Sequence, residues 1–158
     1  MKKLYIAQSV LLLMGTLFAW FTVYSDFIRF YNLYGDITKI SGCAIPNPVT
    51  TACFYGSFAF LGAFIWSLFI NKTTAAKKIA NQKKLHLLLI GSTIFAFSNL
   101  SLEVYNFYFN SASGQVSCSG VPATNIFATP CFIGSMFFLG SLIISILIKM
   151  KSKNSAHR

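Results

Sequence analysis

Apolar residues along this chain come in four long blocks, at about 4–24, 53–70, 85–102 and 131–148, and the polar residues fill the intervals between them. None of the four blocks contains Asp, Glu, Lys or Arg. A helix crosses a bilayer with roughly 17–25 such residues. The pattern therefore predicts an all-α integral membrane protein with four transmembrane helices. Phe27, Phe30, Tyr31 and Tyr34 follow the first block at the spacing of one helical face. They predict that the first helix continues into the membrane interface, where aromatic rings collect. Tyr105, Phe107, Tyr108 and Phe109 do the same after the third block. Interval 73–84, rich in Lys, Ala and Gln, reads as a linker able to form a short surface helix. Pro46, Pro48, Pro122 and Pro130 break regular structure before the second and fourth blocks.

The polar and apolar pattern also repeats. Residues 51–62 (TACFYGSFAFLG) and 129–140 (TPCFIGSMFFLG) agree at eight of twelve positions, 78 residues apart. A further cysteine precedes each copy, Cys43 before the first and Cys118 before the second. Tyr31-Asn-Leu-Tyr34 and Tyr105-Asn-Phe-Tyr108 echo one another 74 residues apart. The chain is thus expected to be two duplicated helical hairpins: residues 1–72, a basic linker 73–84, residues 85–149, and a basic tail 150–158. Two spans per hairpin give both hairpins the same orientation, related by a pseudo-twofold axis along the membrane normal. Gly56, Ala59, Ala63 and Ser67 share one face of the second helix, and Gly134, Phe137, Ser141 and Ser145 are their counterparts in the fourth. Small residues mark close backbone approach in membranes, so these two helices are expected either to meet along the axis or each to pack within its own hairpin.

Charge adds the orientation. The net charge is +10, and eleven of thirteen basic residues lie before the first span, between the second and third, or after the fourth. Asp26, Asp36 and Glu103, with Arg29 and Lys39, lie on the other side. This segregation predicts cytoplasmic N and C termini and, in a bacterial-type plasma membrane, extracytoplasmic cysteine loops. Once topology accounts for the charges no basic patch is left for nucleic acid, and the bilayer, with its anionic headgroups, is the expected partner. The opening Met1-Lys-Lys resembles a signal peptide, but the apolar run is too long and lacks a small-x-small cleavage site. An uncleaved first helix is expected.

All four cysteines fall on the predicted outer side, in an oxidising compartment. Three pairings are possible in principle. The duplication favours Cys43–Cys53 and Cys118–Cys131, closing loops of about ten and thirteen residues. Each such bridge contributes on the order of 2–3 kcal/mol in the chain-entropy account. Cys53 and Cys131 each begin an apolar helix, where unpaired N–H groups and the helix dipole favour a thiolate. If the pairs exchange, Cys53 and Cys131 are the nucleophiles and Cys43 and Cys118 the resolving partners. Four-cysteine zinc is disfavoured by the spacing, and no metal is expected.

This arrangement resembles the four-helix membrane thiol oxidoreductases, namely the bacterial disulfide-generating quinone reductases and the vitamin K epoxide reductase class. The resemblance covers the architecture and the two cysteine pairs at one membrane face. It does not extend to the Cys-x-x-Cys motif of those families, which this sequence lacks. It implies electron transfer between protein thiols and a quinone.

Other polar residues read as structural. His86 sits at the cytoplasmic edge of the third span and His157 in the tail. Arg29 and Glu103 occupy matching positions in the two halves and can pair across the axis, or remain solvated. Asn32 and Asn106 line an outer cavity or satisfy loop backbone. Asn71 and Asn99 match the glycosylation pattern but lie where no glycan is added. The outer aromatics form an interfacial belt or, alternatively, a pocket for a flat quinone. No span contains a buried acid, base or histidine of the kind that proton pumping uses. Two functions remain: a non-catalytic accessory or assembly component with two disulfide-stapled loops, needing no cofactor and binding a membrane or extracytoplasmic partner, or a quinone-coupled thiol–disulfide oxidoreductase.

Overall fold

The computed structural model describes residues 2–38, 45–109 and 125–156. Four helices carry nearly all of them: α1 (Lys2–Tyr34), α2 (Ala52–Lys72), α3 (Ala75–Phe109) and α4 (Pro130–Ala156). No strand occurs among the described residues. Each helix is long and apolar enough to cross a membrane. At 1.5 Å per residue, α1 and α3, with 33 and 35 residues, extend for about 50 Å, well beyond the roughly 30 Å of a hydrocarbon core. The aromatic extension of α1 through Tyr34 is therefore helical. Tyr105, Phe107, Tyr108 and Phe109 likewise form the last turns of α3.

Most of interval 73–84 is not a separate linker but the first turns of α3. Alanine, lysine and glutamine are strong helix formers, and with neither glycine nor proline present nothing stops the helix before the apolar block. The turn between α2 and α3 is only Thr73 and Thr74. The Thr73 backbone N–H donates to Ile70 O at 3.3 Å and its hydroxyl to Phe69 O at 2.7 Å, capping the carbonyls that α2 leaves open. At the other end of the bundle α1 stops at Gly35, whose φ of +67° is left-handed. Its N–H reaches Tyr31 O at 2.8 Å, a stop that glycine makes without steric penalty.

The helices form a ring in which α1 packs on α2 and α4, and α3 on α4 and α2; α2 and α4 also touch across the diagonal. Phe60 of α2 and Phe138 of α4 make that diagonal contact, stacked with ring centroids 3.7 Å apart and planes 12° from parallel. Around them pack Tyr5 and Leu12 of α1, Ala63 and Ile70 of α2, Leu85 and Leu89 of α3, and Ile148 of α4. Leu17, Phe21, Phe69, Leu87, Ile94 and Leu102 point outward, as lipid-facing residues do when hydrocarbon replaces water. The protein therefore contacts the bilayer over most of its lateral surface.

The buried stripe of α2 is Ser57, Phe60, Ala63, Ser67 and Ile70, and that of α4 is Ser135, Phe138, Ser141, Ser145 and Ile148. Its register differs in part from the small-residue face expected from sequence. Ala63, Ser67, Ser141 and Ser145 are buried, whereas Gly56, Ala59, Gly134 and Phe137 are only half-buried. A Cβ on Gly56 or Gly134 would meet nothing within 4 Å, so neither glycine marks a backbone crossing. The tight contact is at Gly15 of α1, which lies against the Phe60 ring.

Candidate functional site at the cysteine end of the bundle

The starts of α2 and α4 are built alike. Asn47 accepts at Oδ1 from Val49 N at 3.0 Å and opens a 3-10 turn, Pro48–Thr50. Asn125 accepts from Phe127 N at 2.9 Å and opens Ile126–Ala128. Thr51 and Thr129 then cap the helices, their hydroxyls accepting from Phe54 N and Phe132 N, each at 3.4 Å. The same hydroxyls donate back to Pro48 O at 2.7 Å and Ile126 O at 2.8 Å. Each threonine is thus locked in both roles, and the next residue but one is a cysteine. Cys53 and Cys131 are the second residues of α2 and α4, as their helix-start positions in the sequence predict. Cys43 and Cys118 lie outside the described residues.

The two helix starts converge. Cys53, Cys131, Gly56, Gly134, Phe60 and Phe138 all line one apolar cavity of about 50 Å³ between the helices. Phe18 and Thr22 of α1 and Phe95 and Asn99 of α3 complete its wall. Ser135 lines it as well, and both Ser135 and its counterpart Ser57 are fully buried, with their hydroxyls donating to Phe132 O and Phe54 O at 2.7 Å. Bonding to the carbonyl one turn back lets a serine occupy a dry interface with its polarity satisfied. The glycines of the repeated segment therefore open space beside the cysteines.

Two buried carboxylates stand at the same end. Asp26 of α1 pairs with Arg29 one turn later, and only the arginine is partly exposed. Glu103 Oε2 of α3 lies 3.3 Å from Thr129 Oγ1 and shares with Ile126 O its single hydroxyl proton, a contact that ties α3 to the cap of α4. Asn32 and Asn106 are exposed, and Asn99 donates to Phe95 O at 2.8 Å within its own helix. Tyr24, Tyr31, Tyr105, Tyr108 and Phe109 are exposed around this end. Among the described residues, no three His, Cys, Asp or Glu side chains gather as a metal site.

At the opposite end a polar chain joins three helices. Gln82 of α3 donates from Nε2 to Gln8 Oε1 of α1 at 3.0 Å and to Ser145 Oγ of α4 at 3.1 Å. His86 Nδ1 lies 3.1 Å from the same Ser145 oxygen. Asn71 donates to Ser9 Oγ at 2.8 Å, tying the end of α2 to α1. His157 lies outside the described residues. The sequence reading missed this chain and the two asparagine caps. A signal for each was present, since Asn47 and Asn125 stand 78 apart, like the cysteines, and Gln8 and Gln82 stand 74 apart, like the tyrosine echoes. No protein-family model, curated protein or solved structure matches this chain.

Proposed function

We propose that this chain is a small non-catalytic membrane protein, an accessory or assembly component whose two extracytoplasmic loops are stapled to the starts of α2 and α4 by Cys43–Cys53 and Cys118–Cys131. The observation that carries this reading is the likeness of the two cysteine-bearing helix starts, each with an asparagine-capped 3-10 turn, a threonine cap and cysteine at the second helical residue. In the oxidoreductase families that this arrangement resembles the two cysteine pairs have different tasks, whereas two like settings suit two like staples. The duplication itself draws support from pairs of equivalent residues that meet each other, Phe60 with Phe138 and Gln8 with Gln82. Only residues near a twofold axis can touch their own counterparts. The charge distribution supports cytoplasmic termini, and the reading places the chain in a bacterial-type plasma membrane. The exposed tyrosines around the cysteine end are the surface this reading offers to a membrane or extracytoplasmic partner.

One observation favours a second reading. Cys53 and Cys131 line the same cavity, as a shared reaction site would require. In that case a partner dithiol is oxidised to a disulfide, and its two electrons and two protons pass through the cysteine pairs to a quinone, giving a quinol. Size weighs against it: a cavity of about 150 Å³ is known to hold a benzene ring, and this one has about 50 Å³. A quinone would enter only if the helices parted.

Titration of the purified protein against thiol redox buffers separates the two. Staples should show potentials below about −300 mV and no exchange with a thioredoxin-like partner. A more oxidising potential together with quinone-dependent thiol oxidation overturns the structural reading.

A further inference from the structure

We propose that the groove between α3 and α4 at the basic end of the bundle binds the headgroup of an anionic phospholipid. The groove has a volume of about 500 Å³, within the range of roughly 300–1,000 Å³ typical of small-molecule sites. Lys83 of α3 and Lys149 of α4 stand on it, with His86 and Ser145 between them. Ser145 is fully buried and holds His86 at Nδ1, so the imidazole is fixed in place rather than free to turn away. Ile79, Ile148 and Met150 add apolar surface to the walls of the groove.

Depth selects the ligand. Lys83 lies two residues before the third apolar block begins at Leu85, and Lys149 directly follows the last residue of the fourth, Ile148. Both ammonium groups therefore stand where hydrocarbon gives way to headgroups. A phosphodiester there meets two lysines while its acyl chains run down over the apolar faces of α3 and α4. Basic pockets between transmembrane helices, on the side that carries the positive charge, are suited to anionic headgroups. No acid opposes the lysines, since Asp26, Asp36 and Glu103 all belong to the other end.

The test uses the full chain, purified in a neutral detergent. Binding of phosphatidylglycerol, of phosphatidylcholine with the same acyl chains, and of inorganic phosphate is measured by native mass spectrometry and by the shift in thermal unfolding. Saturable binding of one phosphatidylglycerol is expected, with phosphatidylcholine and inorganic phosphate much weaker. The double variant Lys83→Gln/Lys149→Gln should weaken phosphatidylglycerol binding roughly 25-fold, because each lysine near an anionic lipid contributes a factor of about five. Lys72→Gln/Lys77→Gln removes the same charge outside the groove and should leave binding little changed. Both variants are surface changes, and unfolding without lipid checks that each remains folded. Equal loss in the two double variants overturns the proposal in favour of diffuse attraction. Equal binding of phosphatidylcholine overturns the charge argument, and full competition by inorganic phosphate would make the groove a free-phosphate site instead.

Discussion

Replacing Gly15 by alanine should destabilise this protein even though alanine is the better helix former. A Cβ at Gly15 would stand 2.5 Å from Cε1, 2.9 Å from Cδ1 and 3.1 Å from Cζ of Phe60. Carbon atoms pack best at about 3.5–4.0 Å, so the ring must retreat by about 1 Å. It has little room to do so, because Phe60 is only 2% exposed and its other face lies on Phe138. Overpacking of this kind costs about 1–3 kcal/mol, against a gain of up to about 1 kcal/mol from removing a mid-helix glycine. With the ring blocked on both faces, the net loss should be about 1–2 kcal/mol. Gly91→Ala supplies the control, because Gly91 is exposed on α3 and a Cβ there meets nothing within 4 Å. That variant should be neutral or slightly stabilised. Thermal unfolding in mild detergent, or steric trapping in bicelles, compares the two. Adding Phe60→Leu to Gly15→Ala should recover part of the loss, since the smaller side chain gives back the space. If Gly15→Ala proves as stable as Gly91→Ala, the diagonal contact is not packed as described and the argument fails.

Proteolysis under non-reducing conditions followed by mass spectrometry should link Cys43 to Cys53 and Cys118 to Cys131, and a Cys43–Cys118 link would refute the staples; losing either bridge through Cys43→Ser or Cys118→Ser should cost about 2–3 kcal/mol. Thr51→Ala removes a cap and should lower stability by about 1 kcal/mol, and Thr129→Ala should cost more, because it also removes the contact to buried Glu103; equal losses would mean that the Glu103 contact contributes nothing. Gln8→Leu and Gln82→Leu each remove the bond between the two amides, and Gln82→Leu also removes the one to Ser145, so the double variant should cost less than the sum, by about 0.6–1.7 kcal/mol, and strict additivity would mean that the Gln8–Gln82 bond contributes nothing. Reporter fusions at residues 74 and 158 should be active only with a cytoplasmic enzyme and one at residue 112 only with an exported enzyme, whereas the reverse pattern would invert the topology.

The four helices were legible because uncharged apolar blocks of bilayer length leave few alternatives. The aromatic end of α1 was legible from helical spacing, and that of α3 from its likeness to the first. The packing register was harder. Small residues predicted the α2–α4 approach as one of two packings, yet the contact is made by the large rings of Phe60 and Phe138. Glycine marks a crossing only when a partner protrudes toward it; Gly56 and Gly134 face a cavity, while Gly15, outside the repeated segment, receives the ring. The helical start of α3 was obscured by its polarity, since a basic interval between apolar blocks looks like a loop until its helix propensity is weighed. Asn47 was hidden in the same way between two prolines, where an asparagine reads as turn punctuation. Its role as a cap appears only beside Asn125, in a less proline-rich setting.

Under the proposed duplication, position relative to the axis explains where the two halves agree. A residue close to a twofold axis packs against its own counterpart, so the pair must be compatible with itself. Phe60 on Phe138 and Gln8 on Gln82 satisfy this, one by offset-free stacking of like rings, the other because an amide carries both donor and acceptor. Leucine at both positions, with no polar group, or lysine at both, with donors only, could not complete such a bond. Away from the axis the two copies meet different neighbours and the constraint is lifted. Gly15 shows this, since the residue 74 positions later is Leu89, equally buried and far larger. Changing one member of an axial pair should therefore disturb the bundle more than changing both to the same new residue of similar volume. Conversion of Gln8 and Gln82 together tests that rule directly, because each single variant leaves one amide without its counterpart and the double variant leaves neither.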